Sequence, residues 1–347
     1  MRVLFDVSHP AHVHLFRHAV QALERAGHET LVTSRKKDLT TQLLDAYGIE
    51  HVPLSAKGDS KLSLVTEWTG RELRMLRAVW SFDPDVVVSR LNPPAAHASF
   101  ALNRPSVVFD DSEAARGAAR ITHPFTDVIC TPTNYDRDLG PKQVRYDGFH
   151  ELAYLHPNRF DPDPELLARH GVDADDRYAV VRFVSWGAHH DVGQQGLSDE
   201  AKRELIDRLS ERGDVYITSE SSLPPDLERY RLPVPPEAIH DLLYHADLYV
   251  GDSQTMAAEA GILGTPAIRS NSFVAGDDMS NFVELERTYE LLESIGDERT
   301  AVERATELFA DPESTETWRR KRDRLLEEKI DVTSFMLDVV RRTARAN

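Results

Sequence analysis

The chain has 347 residues and a formal net charge of −17 at pH 7, with 41% hydrophobic and 29% charged residues. This length suffices for two domains with separate cores, and the acidic balance argues against a nucleic-acid partner because neutralising phosphates requires a basic face. The sequence shows no apolar leader and no run of membrane-spanning length, and its single cysteine, Cys130, excludes an internal disulfide, so a cytoplasmic protein is predicted.

The cationic residues are dominated by arginine, with only eight lysines against thirty-three arginines. An acidic, lysine-poor surface keeps a protein soluble at high ionic strength, which favours a halophilic archaeal source. Codon bias in a GC-rich genome explains the same composition, so both interpretations stay open.

The first half of the chain alternates strand-like and helix-like patterns. Helical spacing of apolar residues covers 13–25 and 62–81, and short apolar runs bounded by turn residues predict strands at 3–7, 29–34, 51–54, 85–89, 106–110 and 127–131. Such alternation predicts a parallel sheet with helices on both faces, here a Rossmann-like domain over 1–155.

A second alternating series follows a stretch rich in proline and turn residues at 156–176, which is typical of a linker. Its elements are strands near 179–184, 215–219 and 248–250 and helices near 199–212, 236–246 and 255–263. We therefore predict a second Rossmann-like domain over 177–330 and a helical tail over 331–347 that packs back on the first domain. Two doubly wound parallel-sheet domains facing a cleft are the predicted fold, with the ligand in that cleft.

Three histidines lie in the loop after the first strand and the beginning of the next helix: His9, His12 and His14. In a parallel sheet this loop lies at a strand's carboxyl end, where ligands bind. His12, or else His9, is the candidate base for a sugar or alcohol hydroxyl, whereas His14 falls inside the helix. A metal site built from these three with His189 and His190 is a competing interpretation.

Acidic residues follow the strand at 106–110, in the order Asp110, Asp111, Ser112, Glu113. A carboxylate of Asp111 or Glu113 pointing into the cleft would serve as base or as acceptor for a sugar hydroxyl. Favourable placement of acids at a helix N-terminus explains the same residues without any function.

The first strand of the second series contains Arg182 and runs into a loop with Ser185, Trp186 and His189. Arginine offers a forked donor suited to phosphate, and tryptophan offers a flat platform for a sugar or a base. We predict that this loop takes part in binding a sugar donor that carries phosphate.

The segment 247–268 reads as a strand, a small-residue turn, a helix and another strand, with Gly251, Asp252 and Ser253 at the turn. Such a turn directs free backbone N–H groups and the positive end of the helix at one point, which suits a phosphate. Glu259 follows on the same helix, within reach of a ribose attached to that phosphate.

The chain resembles the glycosyltransferase-B superfamily and, more closely, the family called domain of unknown function 354. The motifs that carry the resemblance are HPAHVHLFR at the start, GFHELAYLHP at 148–157, VRFVSWGAHHD at 181–191 and GDSQTMAAEAGILGTPAIR at 251–269. The last is similar to the donor loop of the peptidoglycan N-acetylglucosaminyltransferase and of non-hydrolysing UDP-N-acetylglucosamine 2-epimerases. The resemblance implies a diphosphate on Ser253, Gln254 and Thr255, a ribose on Glu259, and a donor sugar near Asp277, Asp278 and Asn281.

Three departures separate the chain from these relatives. The first loop has His-Pro-Ala-His where the transferase has a glycine-rich turn, and the helix starts with Ser-Gln-Thr-Met where the epimerases have paired glycines. Acids also stand at 277–278, where the transferase usually has glutamine.

These features predict an inverting glycosyltransferase that needs no metal or cofactor and takes a nucleotide-diphosphate sugar as its donor. Its acceptor would be soluble or lipid-linked, in the latter case with peripheral membrane contact through Arg71, Leu73, Arg74, Leu76, Arg77 and Trp80, although a solvated helix face explains those residues too. A sugar-nucleotide epimerase is the first alternative, a metal-dependent hydrolase the second and a catalytically silent sensor the third.

Overall fold

The structure is a computed structural model that describes residues 1–36, 38–56, 61–183, 197–219, 222–270 and 278–345. The chain divides into two compact units, residues 1–159 with 329–347 and residues 160–328. Each unit contains one parallel sheet with helices.

The first unit contains a seven-stranded sheet in the order β3-β2-β1-β4-β5-β6-β7. Its strands are β1 (Arg2–Val7), β2 (Glu29–Lys36), β3 (His51–Ala56), β4 (Val86–Arg90), β5 (Ser106–Phe109), β6 (Val128–Pro132) and β7 (Gln143–Tyr146). The helices between them are α1 (Pro10–Arg25), α2 (Asp38–Ala46), α3 (Lys61–Phe82), α4 (Pro93–Ala101) and α5 (Arg116–Thr122). The central strands β4 and β5 are almost wholly buried because both faces of a parallel sheet are covered, and Cys130 is buried in β6.

The second unit contains a five-stranded sheet in the order β12-β11-β10-β8-β9. Its strands are β8 (Tyr178–Phe183), β9 (Asp214–Ser219), β10 (Leu248–Gly251), β11 (Ala267–Arg269) and β12 (Glu293–Ser294). Its helices are α6 (Pro164–Ala168), α7 (Asp199–Ser210), α8 (Ile239–His245), α9 (Gln254–Leu263), α10 (Ser280–Arg287), α11 (Glu298–Ala310) and α12 (Ser314–Glu328).

The chain then returns to the first unit, where α13 (Val332–Arg345) packs against α1. Two parallel α/β sheets and a helical C-terminus confirm the predicted fold class. Two strands escaped the sequence patterns: β7 lies at a sheet edge with an exposed centre, and β12 has only two residues. Edge strands need no continuous apolar run because only one side of the strand is paired.

A buried carboxylate, Asp6 of β1, ties together four elements of the first unit. It accepts hydrogen bonds from Thr33 of the neighbouring strand β2 at 2.7 Å, from Asn92 before α4, and from Nη2 of Arg71 on α3 at 2.7 and 2.8 Å. A charge removed from water is tolerated when it is paired and its remaining lone pairs are bonded, as they are here.

This pair corrects the sequence interpretation of α3, in which Arg71 belonged to a basic surface. Arg71 is buried and points at the sheet because its guanidinium pairs with Asp6, whereas Leu73 and Trp80 are exposed to 56% and 74%. No described helix is long and apolar enough to cross a membrane.

Asp6→Asn is expected to lower the free energy of unfolding by about 3–5 kcal/mol, because it leaves the Arg71 guanidinium buried without a counter-charge. Urea unfolding of purified protein measures the change. The matched control is Glu303→Gln, which breaks the exposed pair with Arg299 on α11 and should leave the free energy of unfolding unchanged. Equal losses in the two variants would contradict the role given to Asp6.

Candidate active-site residues

Charged and polar side chains of the first unit gather where β1, β4 and β5 end. We call this group the histidine–carboxylate cluster and define it as His9, His12, Arg90, Asp110, Asp111, Glu113 and His150. Parallel strands end at the same edge of a sheet, so residues far apart in the chain meet there. His9 and His12 come from the beginning of α1, Arg90 is the last residue of β4, the acids follow β5, and His150 follows β7.

His9 and His12 lie at the beginning of α1 and make different hydrogen bonds. His9 is the N-cap residue, and its Nδ1 accepts a hydrogen bond from the backbone N–H of Ala11 at 3.2 Å. His12 lies one turn on, with Nδ1 3.4 Å from both the backbone N and the hydroxyl of Ser8. Burial, and then the positive charge of Arg90, lowers the pKa of His12 well below its usual value, so its imidazole is neutral at physiological pH.

His14 does not join the cluster, because it lies on another face of α1. Its Nδ1 is 3.4 Å from the hydroxyl of Tyr47, and its ring packs against Tyr154. Within the part of the chain that the structure describes, no group of three or more His, Cys, Asp and Glu side chains is placed to hold a metal ion. His189 and His190, the other members of the metal hypothesis, lie outside the described residues.

Asp111 is the electrostatic centre of the cluster. One carboxylate oxygen pairs with Nη2 of Arg90, and the other is 2.9 Å from Nδ1 of His150. Burial raises the pKa of this carboxyl, but the charges and hydrogen bonds of Arg90 and His150 outweigh burial and hold it well below its usual range. Asp111 is therefore ionised and weakly basic, which suits a positioning role better than proton abstraction.

The neighbouring acids, Asp110 and Glu113, bond to residues outside the cluster. Asp110 is fully buried and accepts hydrogen bonds from the Tyr135 hydroxyl at 3.2 Å and the Ser112 backbone N–H at 3.0 Å, with Nε2 of His123 at 3.1 Å. Glu113 is also buried, and its Oε1 accepts a hydrogen bond from the backbone N–H of Asp136 at 3.4 Å. Its Oε2 has no hydrogen-bond partner among the described residues.

Sequence reasoning overlooked two members of the cluster, Arg90 and His150. Arg90 directly follows the strand predicted at 85–89, so the strand-end rule that singled out Asp111 identifies it equally well. His150 begins a short 3-10 turn, His150–Ala153, that follows the edge strand β7, and no strand-end rule applies there. Only its place in the segment 148–157, which carries the family resemblance, pointed to it.

In the second unit, the turn between β10 and α9 has the predicted geometry of strand, small-residue turn and helix. Ser253 caps α9 by accepting a hydrogen bond from the Met256 backbone N–H at 3.5 Å, and Gln254 and Thr255 form the first helical positions. The first turn of α9 contains no acidic residue. Gly251 is required by close packing, because a Cβ there would lie 2.6 Å from both the Arg182 carbonyl oxygen and the Tyr249 hydroxyl.

Arg182, in β8, lies beside this turn. Its carbonyl oxygen accepts a hydrogen bond from the Asp252 backbone N–H at 3.2 Å, and its guanidinium donates one to the Thr218 hydroxyl at 3.1 Å. The other predicted donor residues of this loop are Ser185, Trp186 and His189, which lie outside the described residues, as does Asp277.

Of the remaining predicted donor residues of the second unit, Glu259 and Asp278 are paired with neighbours within it. Glu259 is only 4% exposed and lies 3.1 Å from Nε2 of His240 on α8. Asp278 pairs with Arg269, a fully buried arginine of β11. Asn281 is buried on α10, and its Oδ1 has no hydrogen-bond partner among the described residues.

Solved structures with similar folds define the class of this protein. The spinosyn rhamnosyltransferase, in complex with the spinosyn aglycone, superposes with a TM-score of 0.63 at 13% identity, covering 98% of this chain and 100% of that one. The UDP-GlcNAc 2-epimerase of Neisseria meningitidis, bound to UDP-GlcNAc, superposes with a TM-score of 0.65 at 12% identity, covering 99% and 100%. Together with its two parallel sheets, this likeness shows that the chain has the glycosyltransferase-B fold.

The particular family follows from the sequence itself. Residues 1–280 match the family described as protein of unknown function (DUF354), and the chain belongs to that family. An uncharacterized protein of Methanocaldococcus jannaschii is 24% identical over 279 residues, which cover 77% of this chain and 80% of the relative. The family assignment made from the motifs is thus confirmed, while the halophilic source stays a prediction.

Gly251→Ala is expected to lower the free energy of unfolding by about 1–3 kcal/mol, because the new methyl group overlaps the Arg182 carbonyl and the Tyr249 hydroxyl. The matched control is Gly117→Ala in α5, where a Cβ meets nothing within 4 Å and alanine should be neutral or stabilising by up to about 1 kcal/mol. Urea unfolding of both variants checks the difference. A Gly251→Ala protein as stable as its control would contradict the close packing of the turn.

Proposed function

We propose that this protein is a glycosyltransferase that uses a nucleotide-diphosphate sugar as donor and requires no metal ion. The observation that carries the proposal is the turn between β10 and α9, where Gly251 brings β10 close to β8 and Ser253 starts a helix with no acid in its first turn. The acceptor is a soluble or lipid-linked hydroxyl compound of glycan, glycolipid or glycoprotein biosynthesis.

The donor diphosphate binds at the beginning of α9 in this proposal. The first backbone N–H groups of a helix have no partner inside the helix, and the helix dipole adds a partial positive charge at the same end. Ser253 occupies the N–H of Met256, which leaves those of Gln254 and Thr255 for the phosphate oxygens. The comparison proteins support this choice of ligand, since the spinosyn rhamnosyltransferase also has a complex with thymidine diphosphate.

The positive end of α9 also explains how transfer proceeds without a metal. As the bond between the sugar and the diphosphate breaks, negative charge develops on the leaving oxygen, and fixed dipoles aimed at that charge stabilise the transition state. The histidine–carboxylate cluster of the first unit supplies the base for the acceptor hydroxyl. His12 is neutral, so Arg90 does not repel its ring, and the imidazole is available to hydrogen-bond the acceptor.

A sugar-nucleotide epimerase is the second candidate, favoured by the same fold in the UDP-GlcNAc 2-epimerase of Neisseria meningitidis. That reaction needs no acceptor but requires an acid and a base beside the sugar, and the cluster contains both kinds of group. Incubating the protein with UDP-GlcNAc alone separates the candidates: an isomerised sugar supports the epimerase, and a need for an acceptor supports the transferase.

Thr255→Asp is expected to weaken UDP binding by at least about tenfold, because a carboxylate in the first turn of α9 repels the diphosphate. Without ligand, the same charge should stabilise the protein by about 0.3–1 kcal/mol through the helix dipole. Thr255→Asn is the control of similar shape without charge. Calorimetric titration with UDP and urea unfolding measure the two effects. Unchanged UDP affinity in Thr255→Asp would contradict diphosphate binding at the beginning of α9.

Dialysis against EDTA is expected to leave the release of UDP from UDP-GlcNAc unchanged, because α9 replaces a metal ion at the leaving group. The assay compares initial rates before dialysis, after dialysis and after readdition of Mg²⁺ or Mn²⁺. A rate that falls with chelation and returns with either ion would contradict the metal-independent reaction.

A further inference from the structure

His150 is fixed in place by a carboxylate and by two aromatic rings. Its Nδ1 lies 2.9 Å from a carboxylate oxygen of Asp111, and its ring stacks on Tyr146 with centroids 6.2 Å apart and planes 10° from parallel. The ring of Phe109 contacts it from another side. These contacts fix both the position and the orientation of the imidazole.

The pairing with Asp111 decides which ring nitrogen carries the proton. The pKa of Asp111 is held far below its usual range, mainly by Arg90 acting against burial, so its oxygen accepts a hydrogen bond and cannot donate one. Nδ1 of His150 must therefore carry the hydrogen, and in the neutral ring Nε2 presents a lone pair. Nε2 is buried and has no hydrogen-bond partner among the described residues.

His9, the N-cap residue of α1, and His12 have the opposite arrangement. Nδ1 of His9 accepts the backbone N–H of Ala11, and Nδ1 of His12 faces the backbone N–H of Ser8. When neutral, both rings therefore carry hydrogen on Nε2 and act there as donors. A general base needs a bare nitrogen, so His150 fits that role and His12 and His9 fit the role of hydrogen-bond donors.

We propose that His150 is the general base of the reaction and that Asp111, held ionised by Arg90, is its positioning residue. This inference rests on the proposed function. As the acceptor oxygen forms its bond to the anomeric carbon, its O–H bond breaks and the proton moves to Nε2. The bond between the anomeric carbon and the diphosphate oxygen breaks, and the electron pair leaves with the diphosphate. The Asp111 carboxylate stabilises the imidazolium until its proton passes to water.

The tautomer of His150 is tested without any substrate. In a two-dimensional ¹⁵N NMR spectrum of the labelled full chain, assigned by comparison with His150→Gln, the neutral ring should show the pattern of hydrogen on Nδ1. Asp111→Asn, whose amide can itself donate a hydrogen bond, should shift the ring toward hydrogen on Nε2. A wild-type His150 with hydrogen on Nε2 overturns the proposal.

The second test separates this inference from the proposed function. With UDP-GlcNAc as donor and water as acceptor, His150→Gln should slow UDP release by about 100-fold or more, the usual contribution of a general base. Its Kd for UDP should stay within twofold, because the diphosphate binds to the other unit. His170→Gln, at an exposed position in the second unit, is the control and should match wild type.

Each outcome of this assay has a distinct meaning. Undiminished UDP release by a folded His150→Gln protein overturns the role of His150 and leaves the donor site intact. Failure of the wild-type protein to bind UDP or UDP-GlcNAc overturns the proposed function instead. Circular dichroism verifies folding, and if His150→Gln is unfolded, Asp111→Asn serves in its place, since a misoriented base should lower the rate and shift the pH profile without changing the Kd.

Discussion

Every described strand pair in both sheets is parallel, and this constraint organises the chemistry of the molecule. Parallel strands end at one edge, so the polar residues that follow β1, β4 and β5 are forced together although they are far apart in the chain. Charges crowded at a buried edge are tolerated only when each has a partner. The pairs of Asp6 with Arg71 and of Asp111 with Arg90 meet that requirement.

The two pairs serve different ends. Asp6 has all its partners inside the first unit and joins strands to helices, so its carboxylate is a structural centre. Asp111 pairs one carboxylate oxygen with Arg90 and the other with Nδ1 of His150. The second ring nitrogen of His150, Nε2, is buried and has no hydrogen-bond partner among the described residues. An unsatisfied buried atom is costly in free energy, and this cost is the reason for proposing His150 as the general base.

In the second unit, the candidate phosphate site consists of backbone groups and not of charged side chains. Gly251 permits β10 to approach β8, and α9 begins directly afterwards with Ser253 as its cap. A diphosphate bound there would be held by peptide groups whose positions depend on the turn rather than on any one side chain. The same fold occurs in a rhamnosyltransferase and in an epimerase, so the likeness to both shows the architecture without choosing the reaction.

The sequence by itself determined the class of fold, the family and the turn at Gly251, because apolar periodicity, strand ends and small-residue turns are local patterns. It also singled out His12, Asp111 and Ser253, since each follows a strand. Only the tertiary structure showed that Arg71 is buried, that Glu259 faces His240, and that Asp111 holds His150. Those contacts join residues 19 to 65 positions apart, and which distant side chains meet is decided by packing of whole elements, which no local pattern records.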